Sequence, residues 1–151
     1  MTVCFDKARS MNRFTQTLIL AIAALTAQAS QAQVALVAGA QSSASKLTTE
    51  QAASLFLGKS EQLPGVGTAV LLDQPESATV RELFYTKVTG KSAAQVKATW
   101  SRLVFSGKAA LPKEVPNSAA VKKMVADNGN AVGYIEKSAV DSSVKVLLSV
   151  E

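Results

Sequence analysis

Between residues 48 and 95 the chain three times sets a hydroxyl side chain three positions ahead of a Gln or Glu and then continues with apolar residues at helical spacing. The pairs are Thr48 with Gln51, Thr79 with Glu82, and Ser92 with Gln95. At this spacing the hydroxyl accepts from the third helical amide while the longer side chain returns to the cap's own N–H, so each pair marks a helix start. Short apolar runs lie around these starts: 34–38 (VALVA), 67–72 (GTAVLL), 131–135 (AVGYI) and 144–148 (VKVLL). Their length and β-branched content predict strands, and the unbroken apolarity of 34–38 predicts one buried on both faces. Strands separated by helices predict an α/β layered domain.

The elements can be placed further. The first helix is predicted over 48–57, with Leu47 placed as a staple on Ala52, a buried stripe of Ala52, Leu55 and Phe56, and Gly58 as the stop. The second starts near Ser77 or Thr79, buries Val80, Leu83, Phe84 and Val88, and ends at Gly90. The third carries Ala93, Val96, Trp100 and Leu103 as far as Gly107. Pro112 and Pro116 mark a loop, Asn117 caps a short helix bearing Val121, Met124 and Val125, and Asn128-Gly129-Asn130 ends it.

The N-terminus reads as a targeting segment. From Met11 there is a short basic region at Arg13, an apolar stretch over 18–25, and small residues leading to Ser30-Gln31-Ala32. This is the layout of a secretory signal peptide cut near Ala32, with Ala27-Gln28-Ala29 as an earlier alternative. The apolar stretch is too short for the roughly 30 Å of a bilayer core. Residues 1–10 have the character of an upstream mis-start, which leaves Met1 and Met11 both open. The domain is then 33–151. Cleavage removes Lys7, Arg9, Arg13 and Asp6 and leaves 13 basic against 10 acidic residues. It also removes Cys4, the sole cysteine, so the exported chain has neither thiol nor disulfide, and a lipoprotein anchor is not expected.

With no histidine in the sequence, Ser-His-Asp and Cys-His centres and the His-containing metal sites are excluded. No metal and no cofactor is expected. Two Gly-Lys-Ser triplets, 58–60 and 90–92, resemble the end of a nucleotide-binding loop, but the glycine required five positions earlier is Ala53 in one and Tyr85 in the other. Both triplets read instead as helix stops. Basic residues are interleaved with acids along the chain and make no nucleic-acid footprint. Asp73 and Glu76 lie close in sequence, but neighbours on one loop do not make the spaced carboxylate pair of a glycosidase.

The informative stretch is 71–81 (LLDQPESATVR), where a strand hands over to a helix. A helix N-terminus offers free amides and partial positive charge to an anion. Ser77 and Thr79 add hydroxyls, and Arg81 adds a guanidinium in the first turn; plain capping is the competing account of the same hydroxyls.

Taken together, 47–59 (LTTEQAASLFLGK), Ser77-Ala78-Thr79, Trp100, 105–108 (FSGK) and 132–135 (VGYI) resemble the phosphate-binding periplasmic proteins of ABC transporters, and more closely their short, single-lobe relatives. The resemblance covers about 34–151. It implies a single periplasmic-binding-protein-like lobe, a central sheet flanked by helices, and a non-enzymatic role in phosphate uptake or sensing. By the same resemblance Ser77, Ala78 and Thr79 fall on the turn that holds inorganic phosphate or a similar oxyanion, with Arg81 as the nearby cation and an ABC permease as partner. The family's usual arginine four residues before the serine is Asp73 here, and its turn glycine is Ala78. The competing expectation is an interaction module, in which the lobe face meets another protein or a second copy of itself. An apolar patch beside the Ser77 loop would mark that reading.

Overall fold

The computed structural model describes residues 33–151. The targeting segment with its cut near Ala32, both candidate start methionines and Cys4 lie outside the described residues. The element order is β1 (Val34–Gly39), α1 (Thr49–Phe56), β2 (Gln62–Leu63), β3 (Gly67–Thr68), β4 (Val70–Asp73), α2 (Thr79–Thr89), α3 (Ala93–Phe105), β5 (Lys113–Glu114), α4 (Ser118–Asp127), β6 (Ala131–Glu136), a single 3-10 turn (Lys137–Ala139) and β7 (Val144–Val150).

Five strands form one mixed sheet in the order β5-β4-β6-β1-β7, and β2 with β3 makes a small separate hairpin. β4 runs parallel to β5 and β6, whereas β1 is antiparallel to both β6 and β7. All six residues of β1 are buried, as its unbroken apolarity predicts. Its side chains alternate between two cores. Val34, Leu36 and Ala38 join Val132, Tyr134, Leu147 and the inner faces of α1, α2 and α3 on one side. Ala35 and Val37 join Leu72, Ile135 and the Val121–Val125 stripe of α4 on the other. The result is a helix–sheet–helix sandwich of the predicted α/β kind. At Gly39 α4 lies so close to the strand that a Cβ would stand 2.2 Å from the Val125 carbonyl oxygen, which leaves room for glycine alone.

Two of the three predicted capping boxes close. Thr48 Oγ1 accepts from Gln51 N–H at 3.2 Å while Gln51 Oε1 accepts from Thr48 N–H at 2.9 Å, and Ser92 with Gln95 repeats the pattern. Asn117 caps α4 through Ala120 N–H at 2.9 Å. Gly58 and Gly90 follow α1 and α2 in left-handed backbone with φ of 68°, so both Gly-Lys-Ser triplets are helix stops. The third box does not form. Ala78, which has no side-chain acceptor, is the N-cap of α2, and Thr79 is already helical. Glu82 turns away to accept from Ala93 N–H at 3.0 Å, which ties the start of α3 to α2. The predicted strand 67–72 is likewise divided at Ala69 into β3 and β4.

Candidate functional site

The carboxyl end of β4 delivers Asp73 to the mouth of a cleft of about 190 Å³, whose other lining residues include Glu76, Arg81, Lys97, Trp100 and Glu114. The chain leaves the strand through Gln74 and Pro75, turns with Ala78 N–H donating to Pro75 O at 2.9 Å, and enters α2. Arg81 N–H bonds back to Ala78 O at 3.0 Å. The amides of Thr79 and Val80 have no acceptor among the described residues, as the first turn of a helix dictates. Ser77 and Thr79 are exposed, Ala78 is half-buried, and none of the three lines the cleft. Neither the Ser77 nor the Thr79 hydroxyl makes a hydrogen bond among the described residues, so they cap nothing.

Arg81 does not extend to solvent. It is buried, its Nε lying 3.2 and 3.3 Å from the two carboxylate oxygens of Asp73 and its Nη2 3.2 Å from Oδ2. Asp73 thus turns toward the cation rather than away from it. Two further donors serve the carboxylate: the Tyr134 hydroxyl donates to Oδ1, and Gln74 N–H donates to Oδ1 at 2.9 Å while also reaching Tyr134 Oη at 3.0 Å. The buried Gln74 side chain locks this corner to the sheet by donating to Tyr134 O at 2.9 Å and to Ser118 Oγ at 3.2 Å. The Arg81 guanidinium sits 5.5 Å from the centroid of the Tyr85 ring. Phe84 stacks on Tyr134 at 4.3 Å, and Phe56 meets Phe84 edge-on at 4.7 Å, so Tyr134, which holds Asp73, belongs to an aromatic cluster in the core.

The electrostatics follow from this packing. Burial opposes the Arg81 charge, but the hydrogen bonds and charge of Asp73 outweigh it and hold the guanidinium above its ordinary value. Burial first, and the negative charge of Asp73 second, push both the Tyr85 and the Tyr134 phenols far above the ordinary tyrosine value. The Tyr85 hydroxyl is wholly buried and has no hydrogen-bond partner among the described residues. Glu76 is paired with Lys97 at the rim, where both are exposed. Each of the two neighbouring carboxylates therefore has its own cation, and the cleft as lined carries three carboxylates against two cations.

The sequence places Arg81 and Asp73 near one helix start without fixing how they face one another, and nothing in it marks Gln74 or Tyr85. One signal was available for Tyr134: a tyrosine in an otherwise apolar strand needs a partner for its hydroxyl. Among the described residues no cluster of metal-ligating side chains occurs, and no helix is long and apolar enough to cross a membrane.

No protein-family model matches the sequence, and no curated protein matches it. Solved structures do. One, from Clostridium perfringens, is described as a phosphate ABC transporter substrate-binding protein with bound phosphate; it shares 22% identity with a TM-score of 0.59 over 77% of this chain and 45% of its own. Another, an ABC-type phosphate transport receptor from Vibrio cholerae, shares 23% identity with a TM-score of 0.59 over 77% of this chain and 46% of its own. The chain spans under half the length of either. The likeness shows the fold: a mixed sheet flanked by helices, as in one lobe of a binding protein.

Proposed function

We propose that the chain is an exported, non-enzymatic binding-protein lobe working in phosphate uptake or sensing beside an ABC permease, with Ser77, Ala78, Thr79 and Arg81 as an oxyanion half-site that Asp73 holds in check. Export follows the signal-peptide reading, with cleavage near Ala32. The observation that carries the proposal is the Arg81–Asp73 pair at the carboxyl end of β4, beside two uncommitted helix amides. Anions favour this place in an α/β fold. Here, however, the guanidinium is already engaged, and an incoming phosphate meets a carboxylate. At 4 Å and an effective dielectric near 20, each unit-charge repulsion costs about 4 kcal/mol, reduced by the site's openness to water. Phosphate binding is accordingly weak, and it tightens when the carboxylate charge is removed.

Calorimetric titration with phosphate, and with sulfate as the control, tests this. The expected result is weak, phosphate-selective binding to the natural chain, a gain of about tenfold or more (about 1.4 kcal/mol) in Asp73→Asn, and a loss in Thr79→Ala. Silence from both the natural chain and Asp73→Asn up to millimolar phosphate would overturn the reading. Asp73→Arg, the substitution that restores the family's usual residue, is the poorer probe, because it sets a second cation against Arg81. One observation favours a second reading, an interaction module: Leu111, 63% exposed, borders the same cleft.

A further inference from the structure

The cleft at the carboxyl end of β4 holds one charge that nothing in it answers. Asp73 is paired with Arg81 and Glu76 with Lys97, but Glu114, the third carboxylate of the lining, is exposed and in no ion pair among the described residues. The register of β4 with β5 sets Glu114 opposite Asp73, so their backbones are one strand spacing, about 4.8 Å, apart. Lys113 does not neutralise Glu114: successive side chains on a strand point to opposite faces, and Lys113 lines a separate cavity with Leu55 and Val70. One cationic donor is also left over. Asp73 takes the Nε and Nη2 side of the Arg81 guanidinium, while Nη1 makes no hydrogen bond among the described residues. Nη1 is not shut away, since the Tyr85 hydroxyl is the sole wholly buried side-chain polar atom without a partner among those residues, and the surface that Arg81 lines is the cleft. A free donor on a cation only 8% exposed and an unpaired carboxylate therefore share one cleft, with Trp100, Leu111 and Pro112 as an apolar wall.

We propose that the ligand of the half-site is an aminoalkyl phosphate, whose oxyanion meets Arg81 Nη1 and the free amides of Thr79 and Val80 and whose ammonium meets Glu114. The inference rests on the oxyanion reading above and adds a second, opposite charge to the ligand. Inorganic phosphate brings only negative charge to a cleft already one carboxylate in excess, whereas an ammonium on the same molecule offsets Glu114. The cleft of about 190 Å³ has room for about six groups the size of a water, a space that an anion at its mouth leaves empty and an alkyl linker against Trp100, Leu111 and Pro112 uses. A divalent cation brought in with phosphate would answer the same charge, but no cluster of metal-ligating side chains occurs among the described residues. Glu114 is exposed, so the ammonium adds what a surface pair adds, about three- to fivefold in affinity.

The test is a titration of the purified chain, followed by NMR, with 2-aminoethyl phosphate, with ethyl phosphate, which lacks the ammonium, and with ethanolamine, which lacks the phosphate. At about pH 8 both esters are dianions and the amine is charged. 2-Aminoethyl phosphate is expected to bind about three- to fivefold more tightly than ethyl phosphate, and Glu114→Gln to bring the two esters level. Ethanolamine is expected to bind more weakly than either. Glu114 is exposed, and unchanged circular dichroism checks that the variant folds. Equal affinity of the two esters for the natural chain, or a preference that survives Glu114→Gln, would overturn this proposal and leave the oxyanion half-site standing. Ethanolamine binding as tightly as its phosphate would also overturn it. Silence from both esters and from inorganic phosphate, in the natural chain and in Asp73→Asn, would overturn the half-site and this proposal with it. Vesicles of phosphatidylethanolamine separate the two sources of this chemistry: Glu114-dependent co-sedimentation supports a lipid headgroup, and its absence beside ester binding supports the free ester.

Discussion

At the residue scale the two tyrosines of the site face the same ion pair and play opposite parts. Tyr134 donates to Asp73 and accepts from Gln74, so Tyr134→Phe removes a charge-assisted bond and leaves a buried amide with one acceptor fewer. A cost of about 1.5–3 kcal/mol is expected. The Tyr85 hydroxyl is buried with no partner among the described residues and already bears its desolvation in the folded state. Tyr85→Phe is therefore expected to be neutral or to stabilise by up to about 1 kcal/mol. Urea denaturation of the two variants measures the contrast, and equal losses would show that the Tyr85 hydroxyl is bonded in solution. The Arg81–Asp73 pair has a similar asymmetry. Removing one member strands a buried charge, whereas the intact pair adds little net stability beyond an apolar pair of the same size.

At the scale of elements, one sequence pattern gave two right answers and one wrong one. Thr48 with Gln51 and Ser92 with Gln95 close as capping boxes. Thr79 with Glu82 does not, because the turn closed by Ala78 N–H on Pro75 O sets Ala78 at the cap and Ala93 N–H takes Glu82. The first competitor is local and the second is a contact between helices that no spacing rule contains. α2 thus begins without a side-chain cap, in the extended conformation that a capping residue adopts. Ala78→Ser is expected to stabilise the domain by about 1 kcal/mol, and Ser92→Ala to destabilise it by a similar amount. Thermal midpoints moving a few degrees in opposite directions would confirm both; a fall with Ala78→Ser would mean that the turn cannot accommodate the hydroxyl. The interior strand, the helices and their stops were legible from apolar runs and glycines. β5 was not, since Lys113 and Glu114 are exposed and join the sheet through backbone pairing alone. Asp73 was legible as a departure at its position, but its direction depends on Tyr134, 61 residues away.

At the scale of the whole molecule the site offers an intrinsic reporter of folding. Tyr85 and Tyr134 are the only tyrosines in the chain, and both phenols are held far above their ordinary value of 10.0. Above that pH the unfolded chain loses these protons while the folded chain keeps them. The folded state then binds more protons, so stability falls as pH rises, whereas below pH 10 the contribution is intact. Tyrosinate absorbance is accordingly expected to appear together with the loss of circular dichroism on alkaline titration. Tyrosinate forming first, with secondary structure retained, would place at least one hydroxyl in contact with water.

The pairing of β1 sets the order in which this chain can acquire its structure. Among the described residues its only sheet neighbours are β6 and β7, so Val34 waits for Glu136 and Val150, roughly a hundred residues later. A polypeptide emerging N-terminus first from a ribosome or a pore cannot close its sheet until the final strand is released. Until β6 is out, the wholly buried strand β1 has no edge to join. Such distant pairings make folding slow, and a chain whose sheet stays open until β7 is out remains threadable until then.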